Sequence, residues 1–122
     1  GLPQETPEMM LETAKTVAQL DIQGIKIHLL HLMHKTPMVK QYEKGLLEFM
    51  DFDTYINLVA DQLEILPPDM VIHRLTGDAP IDLLIGPMWS TKKWHILNSI
   101  DKELERRNSW QGKHYRSLVA NK

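Results

Sequence analysis

The chain has 122 residues, 43% hydrophobic and 25% charged, with a formal net charge of -2 and a sequence pI near 6.3. That balance suits one globular domain or part of one; it excludes a disordered chain and gives no global pull toward nucleic acid or membrane. There is no cysteine, which excludes disulfides, thiolate zinc sites, cysteine nucleophiles and any iron–sulfur cluster held by the chain's own thiolates.

No apolar run approaches the ~20 residues needed to span a bilayer; with no disulfides, a cytoplasmic location away from the membrane is expected. The opening Gly1-Leu2-Pro3 reads as a loop already under way, so a longer parent chain is expected. Thr6 is placed to cap a helix and Pro7 suits its first position; Glu8 and Glu12 favour the positive end of its dipole. Met10, Ala14, Val17 and Ala18 recur at helical spacing, giving a helix at about 7–20 that leads out at Gly24. Ile25 to Leu30 alternates apolar residues with Lys26 and His28 and predicts a strand. His31 to Pro37 reads as a loop, followed by a short helix ending near Gly45.

Asp51 is the expected cap of the next helix, at about 52–66, with Tyr55, Leu58, Val59, Gln62, Leu63 and Leu66 on one face. Pro67-Pro68 stops it. Met70 to Leu75 predicts a second strand and Thr76 to Pro80 a turn-rich loop; residues 81–88 are ambiguous and admit a short helical turn. Ser90 is the expected cap of the last long helix, at about 91–107, with Trp94, Leu97, Ile100, Asp101 and Leu104 on its packing side. Strands separated by helices imply parallel pairing, and two such strands make a poor sheet by themselves, so more strands are expected elsewhere. Unpaired edges also allow an oligomerisation unit.

Four segments carry a family resemblance. Gly1-Leu2-Pro3-Gln4-Glu5-Thr6 is similar to the GLPGET loop after the fourth barrel strand of radical-SAM enzymes, with Gln4 in place of the second glycine. Lys26 to Leu32, then Lys35-Thr36-Pro37-Met38, resemble the fifth strand and its loop, with Lys35 where glycine is common. Val71 to Asp78 resembles the sixth strand and its exit loop. Trp89-Ser90, Lys93-Trp94 and Arg106 to Lys113 resemble the C-terminal extension of a branch similar to the Elongator-type catalytic subunit and the oxygen-independent coproporphyrinogen oxidases.

The resemblance implies an α/β fold: a helix-rich C-terminal fragment of a partial (β/α) barrel with about two parallel strands. Residues 1–88 would complete the barrel and residues 89–122 would form a helical extension with a basic tail. In the whole enzyme, three cysteines on an earlier loop would hold a [4Fe–4S] cluster, and S-adenosylmethionine would be cleaved to begin radical chemistry. The implied substrate is a tRNA nucleoside, with a tetrapyrrole or another small metabolite as the alternative. The implied partners are the N-terminal part of the same protein and tRNA. This chain alone is expected to be inactive.

In a parallel barrel, functional side chains gather at the C-terminal ends of strands. That places His28 and His31 at or after the end of one strand and His73, Arg74, Thr76, Gly77 and Asp78 at or after the end of the other as residues lining the cofactor or substrate cavity. Arg74 suits a carboxylate or phosphate, Asp78 a hydroxyl donor, and Gly77 a close backbone approach; a simple Arg74–Asp78 pair fixing the loop is the rival reading. His28, His31 and His34 form H-x2-H-x2-H, but residues three apart on a strand face opposite sides, so no metal site is expected unless the chain bends. A His28 that hydrogen-bonds cofactor or substrate competes with a satisfied buried histidine. Arg106, Arg107, Trp110 and Lys113 are candidates for RNA contact in a basic tail that also carries Arg116 and Lys122, and a non-catalytic RNA-binding module is the second functional class. A solvated basic tail is the plain alternative.

Overall fold

The computed structural model describes residues 1–115; Arg116 and Lys122 lie outside the described residues. The elements run α1 (Pro7–Ala18), β1 (Gly24–Lys26), β2 (Leu32–Met33), α2 (Met38–Glu43), α3 (Phe52–Ile65), β3 (Val71–Arg74), β4 (Leu84–Gly86), a 3-10 turn (Met88–Thr91) and α4 (Lys93–Arg106). This is the helix-rich α/β fold expected. β1 and β3 pair in parallel, with Gly24 opposite Val71 and Ile25 opposite Ile72.

Two of the expected caps form. The Thr6 and Asp51 side chains accept from the Met9 and Thr54 amides and begin α1 and α3. Helix α3 is the centre of the core. Tyr55, Val59, Leu63 and Leu66 from it meet Ala18, Leu29, Met70, Ile96 and Ile100 from the elements around it. Its sides are covered by α1 and α4, which is why Ile56, Ala60 and Ile65 are buried as well as the expected face. Gln62, on that face, donates to the Met10 carbonyl at 3.2 Å and ties α3 to α1.

The structure corrects four expectations. The first strand ends at Lys26, because the β1–β3 register shifts after Ile25; the chain from Ile27 onward is irregular, with one further bond from the Ile27 amide to the Arg74 carbonyl. The loop at 31–37 contains β2, which pairs antiparallel with β4, the end of the ambiguous stretch. Ser90 does not cap α4: its hydroxyl donates to the Pro87 carbonyl at 2.6 Å inside the 3-10 turn, and α4 starts later, at Lys93, with no side-chain cap. Trp94 does not pack. The buried seam of α4 runs through Ile96 and Ile100, and Trp94 is 79% exposed. Two positions along a helix are about 200° apart, so a seam centred on Ile96 turns Trp94 outward.

Two of the replaced glycines have a cost. Gln4 and Lys35 both hold positive φ, at 64° and 66°, the left-handed region that side chains disfavour by about 1 kcal/mol. These are the positions where the resembled motifs carry glycine. Gln4→Gly and Lys35→Gly are each expected to raise stability by up to about 1 kcal/mol, read as an upward shift in the denaturant midpoint.

After α4 the chain folds back on α3. The Arg107 guanidinium reaches Asp61 at 2.7 Å and Glu64 at 2.8 Å, and its Nε donates to Glu103 at 2.9 Å. Ser109 donates to Glu64 at 2.6 Å, and the Gly112 and His114 amides donate to the Leu63 and Glu64 carbonyls. Gln111 donates to the Pro67 and Met70 carbonyls, both at 2.8 Å. The hydrogen bonds from Arg106 and Arg107 hold the Glu103 pKa down to about 2. A depressed carboxylate stabilises the fold above its unfolded pKa and ceases to do so as pH falls through the folded value. Acid unfolding monitored from pH 5 to pH 2 should therefore flatten when Glu103 is replaced by Gln.

Candidate functional site

The parallel pairing of β1 and β3 puts their C-terminal ends side by side. His28 follows β1 and its ring lies against Gly77, so close that a Cβ on Gly77 would collide with it. The His28 Nδ1 sits 2.6 Å from the Leu29 carbonyl. A carbonyl only accepts, so in the neutral ring Nδ1 holds the proton and Nε2, toward Gly77, is an acceptor. The His31 ring meets His28 edge to face, with centroids 5.3 Å apart. The two histidines come together because the chain has left the strand. The bend that a strand would forbid is present, yet among the described residues no group of three potential metal ligands converges.

Two polar atoms here are buried without a hydrogen-bond partner: His31 Nε2 and Thr76 Oγ1. Thr76 is 5% exposed. An unpaired buried polar atom costs roughly 1–3 kcal/mol, which marks a place where a ligand group would be welcome. Burial, and next the neighbouring His28, lower the His31 pKa, while Asp78 pulls it the other way; the ring is therefore neutral at pH 7. Tyr55, whose own ionisation burial pushes upward, fixes the strand end from below by donating to the Leu75 carbonyl at 2.7 Å.

Asp78 is exposed and shared. Arg74 reaches one carboxylate oxygen at 3.1 Å and Lys93 the other at 2.5 Å. The Lys93 hydrogen bond and then that of Arg74 lower its pKa. The simple Arg74–Asp78 pair is present, and Lys93 joins it. Lys93 is a site residue that the sequence reading did not single out; its partner lies far off along the chain, and only the fold brings them together. His73 stands apart from the cluster, with its ring packed over Gly24.

An apolar cavity of about 470 Å³ opens beside β1. Met10, Ala14 and Val17 of α1 form one wall, Ile25, Ile27 and Leu29 another, and His28 stands on its rim. Neither β1 nor β3 has a second strand neighbour among the described residues.

The candidate RNA contacts lie elsewhere. Arg107 is engaged by three carboxylates and Arg106 by Glu103. Lys113 donates to the Asn108 carbonyl at 3.0 Å and lies over the Trp110 ring, 5.3 Å from its centroid. In this group the Trp110 residue is 56% exposed and the Arg106 side chain 70% exposed.

The family described as the radical-SAM C-terminal domain matches residues 22–106, well over half of the chain. The chain belongs to that family. It is 65% identical over 118 residues to the uncharacterized protein YtqA of Bacillus subtilis, covering 97% of this chain and 37% of that protein. An uncharacterized protein of Methanocaldococcus jannaschii is 36% identical over 113 residues, 92% of this chain and 35% of that protein. The Escherichia coli protein YhcC is 29% identical over 104 residues, 85% of this chain and 34% of that protein. The chain thus spans about a third of the length of the curated relatives it matches. No helix among the described residues is long and apolar enough to cross a membrane.

Proposed function

We propose that the intact protein is a radical-SAM enzyme of the cytoplasm acting on a tRNA nucleoside, and that this chain forms the far wall of its cofactor and substrate cavity. The observation that carries the reading is the convergence of His28, His31, Thr76, Gly77 and Asp78 at the ends of two parallel strands, in a chain of the radical-SAM C-terminal family. Functional groups of parallel barrels sit at that end.

The residues here do not fit an iron–sulfur cluster, since the chain has no thiolate; cluster ligands would come from the rest of the protein. They do fit a neutral polar ligand. His31 Nε2 and Thr76 Oγ1 lack partners, and each can exchange a hydrogen bond with a hydroxyl or amide group, as S-adenosylmethionine and a nucleoside both present. When bound, the cluster and S-adenosylmethionine supply the radical that removes a hydrogen atom from substrate. The neutral His31 would hold its ligand without competing for a proton, and Gly77 would let that ligand approach the backbone. The cavity beside β1 would be filled by the N-terminal part of the same protein, which the length of the relatives supports. The tRNA substrate rests on the resemblance to the Elongator-type branch.

The test uses the full-length protein, reconstituted anaerobically, with tRNA from cells lacking its gene. One modified nucleoside should change mass in step with 5′-deoxyadenosine release. If no nucleoside changes while a tetrapyrrole or small-metabolite pool is consumed, the RNA assignment is wrong.

A further inference from the structure

The geometry points to Trp94, with Lys92, as the platform on which an RNA strand stacks while presenting a nucleoside to the strand-end face. This inference rests on the tRNA reading above. It moves the RNA contact from one end of α4 to the other.

Helix α4 runs from the functional end of the fold to the opposite end. At its start, Lys93 bonds Asp78, in the loop that leaves β3. Past its finish, Gln111 bonds the Pro67 and Met70 carbonyls, just before β3 begins. Trp94 therefore stands beside the strand ends where chemistry is expected, and Trp110 stands at the other pole. A nucleic acid delivering a base to the strand ends passes the first.

The surroundings of the two indoles differ in the same sense. Trp94 is 79% exposed and lies on the side of α4 turned away from Ile96 and Ile100. No aromatic or cation pairing occupies it among the described residues. Trp110 already carries the Lys113 amine over its ring. His95 does not compete for the ligand, since it stacks flat on Phe52, 4.7 Å away and 3° from parallel, and anchors the start of α4 to the core.

The charge around Trp94 selects the partner. Lys92 precedes it, Lys93 beside it is held by Asp78, and α4 begins without a side-chain cap, so its first amides and the positive end of its dipole add to the Lys92 amine. An open indole beside a cation has the chemistry of a single-stranded nucleic-acid contact: a base on the ring, a phosphate on the amine.

The experiment measures binding of a tRNA transcript to the full-length, cluster-reconstituted protein by fluorescence anisotropy, across a salt series. Trp94→Ala should weaken binding about tenfold, within the range seen for lost base stacking, and Trp94→Phe should retain most of the affinity. Lys92→Gln should reduce the salt slope by about 0.7, one phosphate contact on a single strand. Trp110→Ala should change affinity less than twofold. Because Trp94 is exposed, the thermal midpoint should not move, which separates a binding defect from misfolding. Unchanged affinity in Trp94→Ala, or a loss confined to Trp110→Ala, overturns the inference. So does a wild type that cleaves S-adenosylmethionine but has no affinity for tRNA, a result that leaves the radical-SAM reading standing. RNA binding that depends on Trp94 in a protein that never cleaves S-adenosylmethionine upholds the platform and removes the enzyme reading instead.

Discussion

Replacing Arg107 by alanine should cost the fold about 2 kcal/mol, less than the roughly 3–5 kcal/mol for one partner of a fully buried pair, because Arg107 and Asp61 are partly exposed. Glu64, 8% exposed, would keep only Ser109 at 2.6 Å and His114 at 3.4 Å. Asp61 and Glu103 would lose their bonds to the same guanidinium, leaving three carboxylates close together with one cation fewer. The Asn57 carbonyl, 3.3 Å from Arg107 Nη2, would lose a donor too. A loss of this size is a large fraction of the 5–15 kcal/mol that holds a typical domain. Arg107→Lys should recover part of it, because an ammonium keeps the charge but cannot fork between Glu64, Asp61 and Glu103. Urea unfolding of the three proteins reads the order directly. A change below about 1 kcal/mol in Arg107→Ala would show that the network contributes little, and a loss of RNA affinity without loss of stability would return Arg107 to the RNA surface.

Gly77→Ala should instead spare the fold and damage the site. The added Cβ would meet the His28 ring. That ring is the exposed end of a side chain and can swing away, so the stability cost should stay near 1 kcal/mol. Swinging it away breaks its contact with the Leu29 carbonyl and its edge-to-face packing on His31. The group left out of place is the one whose neighbour holds an unpartnered Nε2. A displacement of about 1 Å can lower turnover roughly 100-fold, and a loss of that order in 5′-deoxyadenosine release is expected from the full-length enzyme. Activity within threefold of wild type would mean that His28 and Gly77 only shape the loop.

How much of this is legible in the sequence depends on how local the cause is. Thr6 and Asp51 cap their helices because a cap depends on residues two or three positions away. Ser90 has the same chemistry but is captured by the Pro87 carbonyl, a competition that composition does not reveal. The buried seam of α4 runs through Ile96 and Ile100 and not through Trp94; helical spacing admits both stripes, and packing against α3 decides between them. β2 and β4 have two and three residues; pairs that short exist only through each other. That the loops after the two strands are neighbours was legible, because parallel strands determine which loop ends meet, although His73 turns away toward Gly24. The connection of Asp78 to Lys93 was not, because tertiary packing alone joins α4 to the β3 exit loop. Gln4 and Lys35 were visible as departures from glycine, and both carry the positive φ those positions demand.

The most direct test of the central claim is 5′-deoxyadenosine release from S-adenosylmethionine, measured in parallel after anaerobic reconstitution of the full-length protein and of residues 1–122 alone. The full-length protein should release it and residues 1–122 should not, because this chain has no thiolate to hold a cluster. Release by residues 1–122 alone, or none from the full-length protein, would contradict the account.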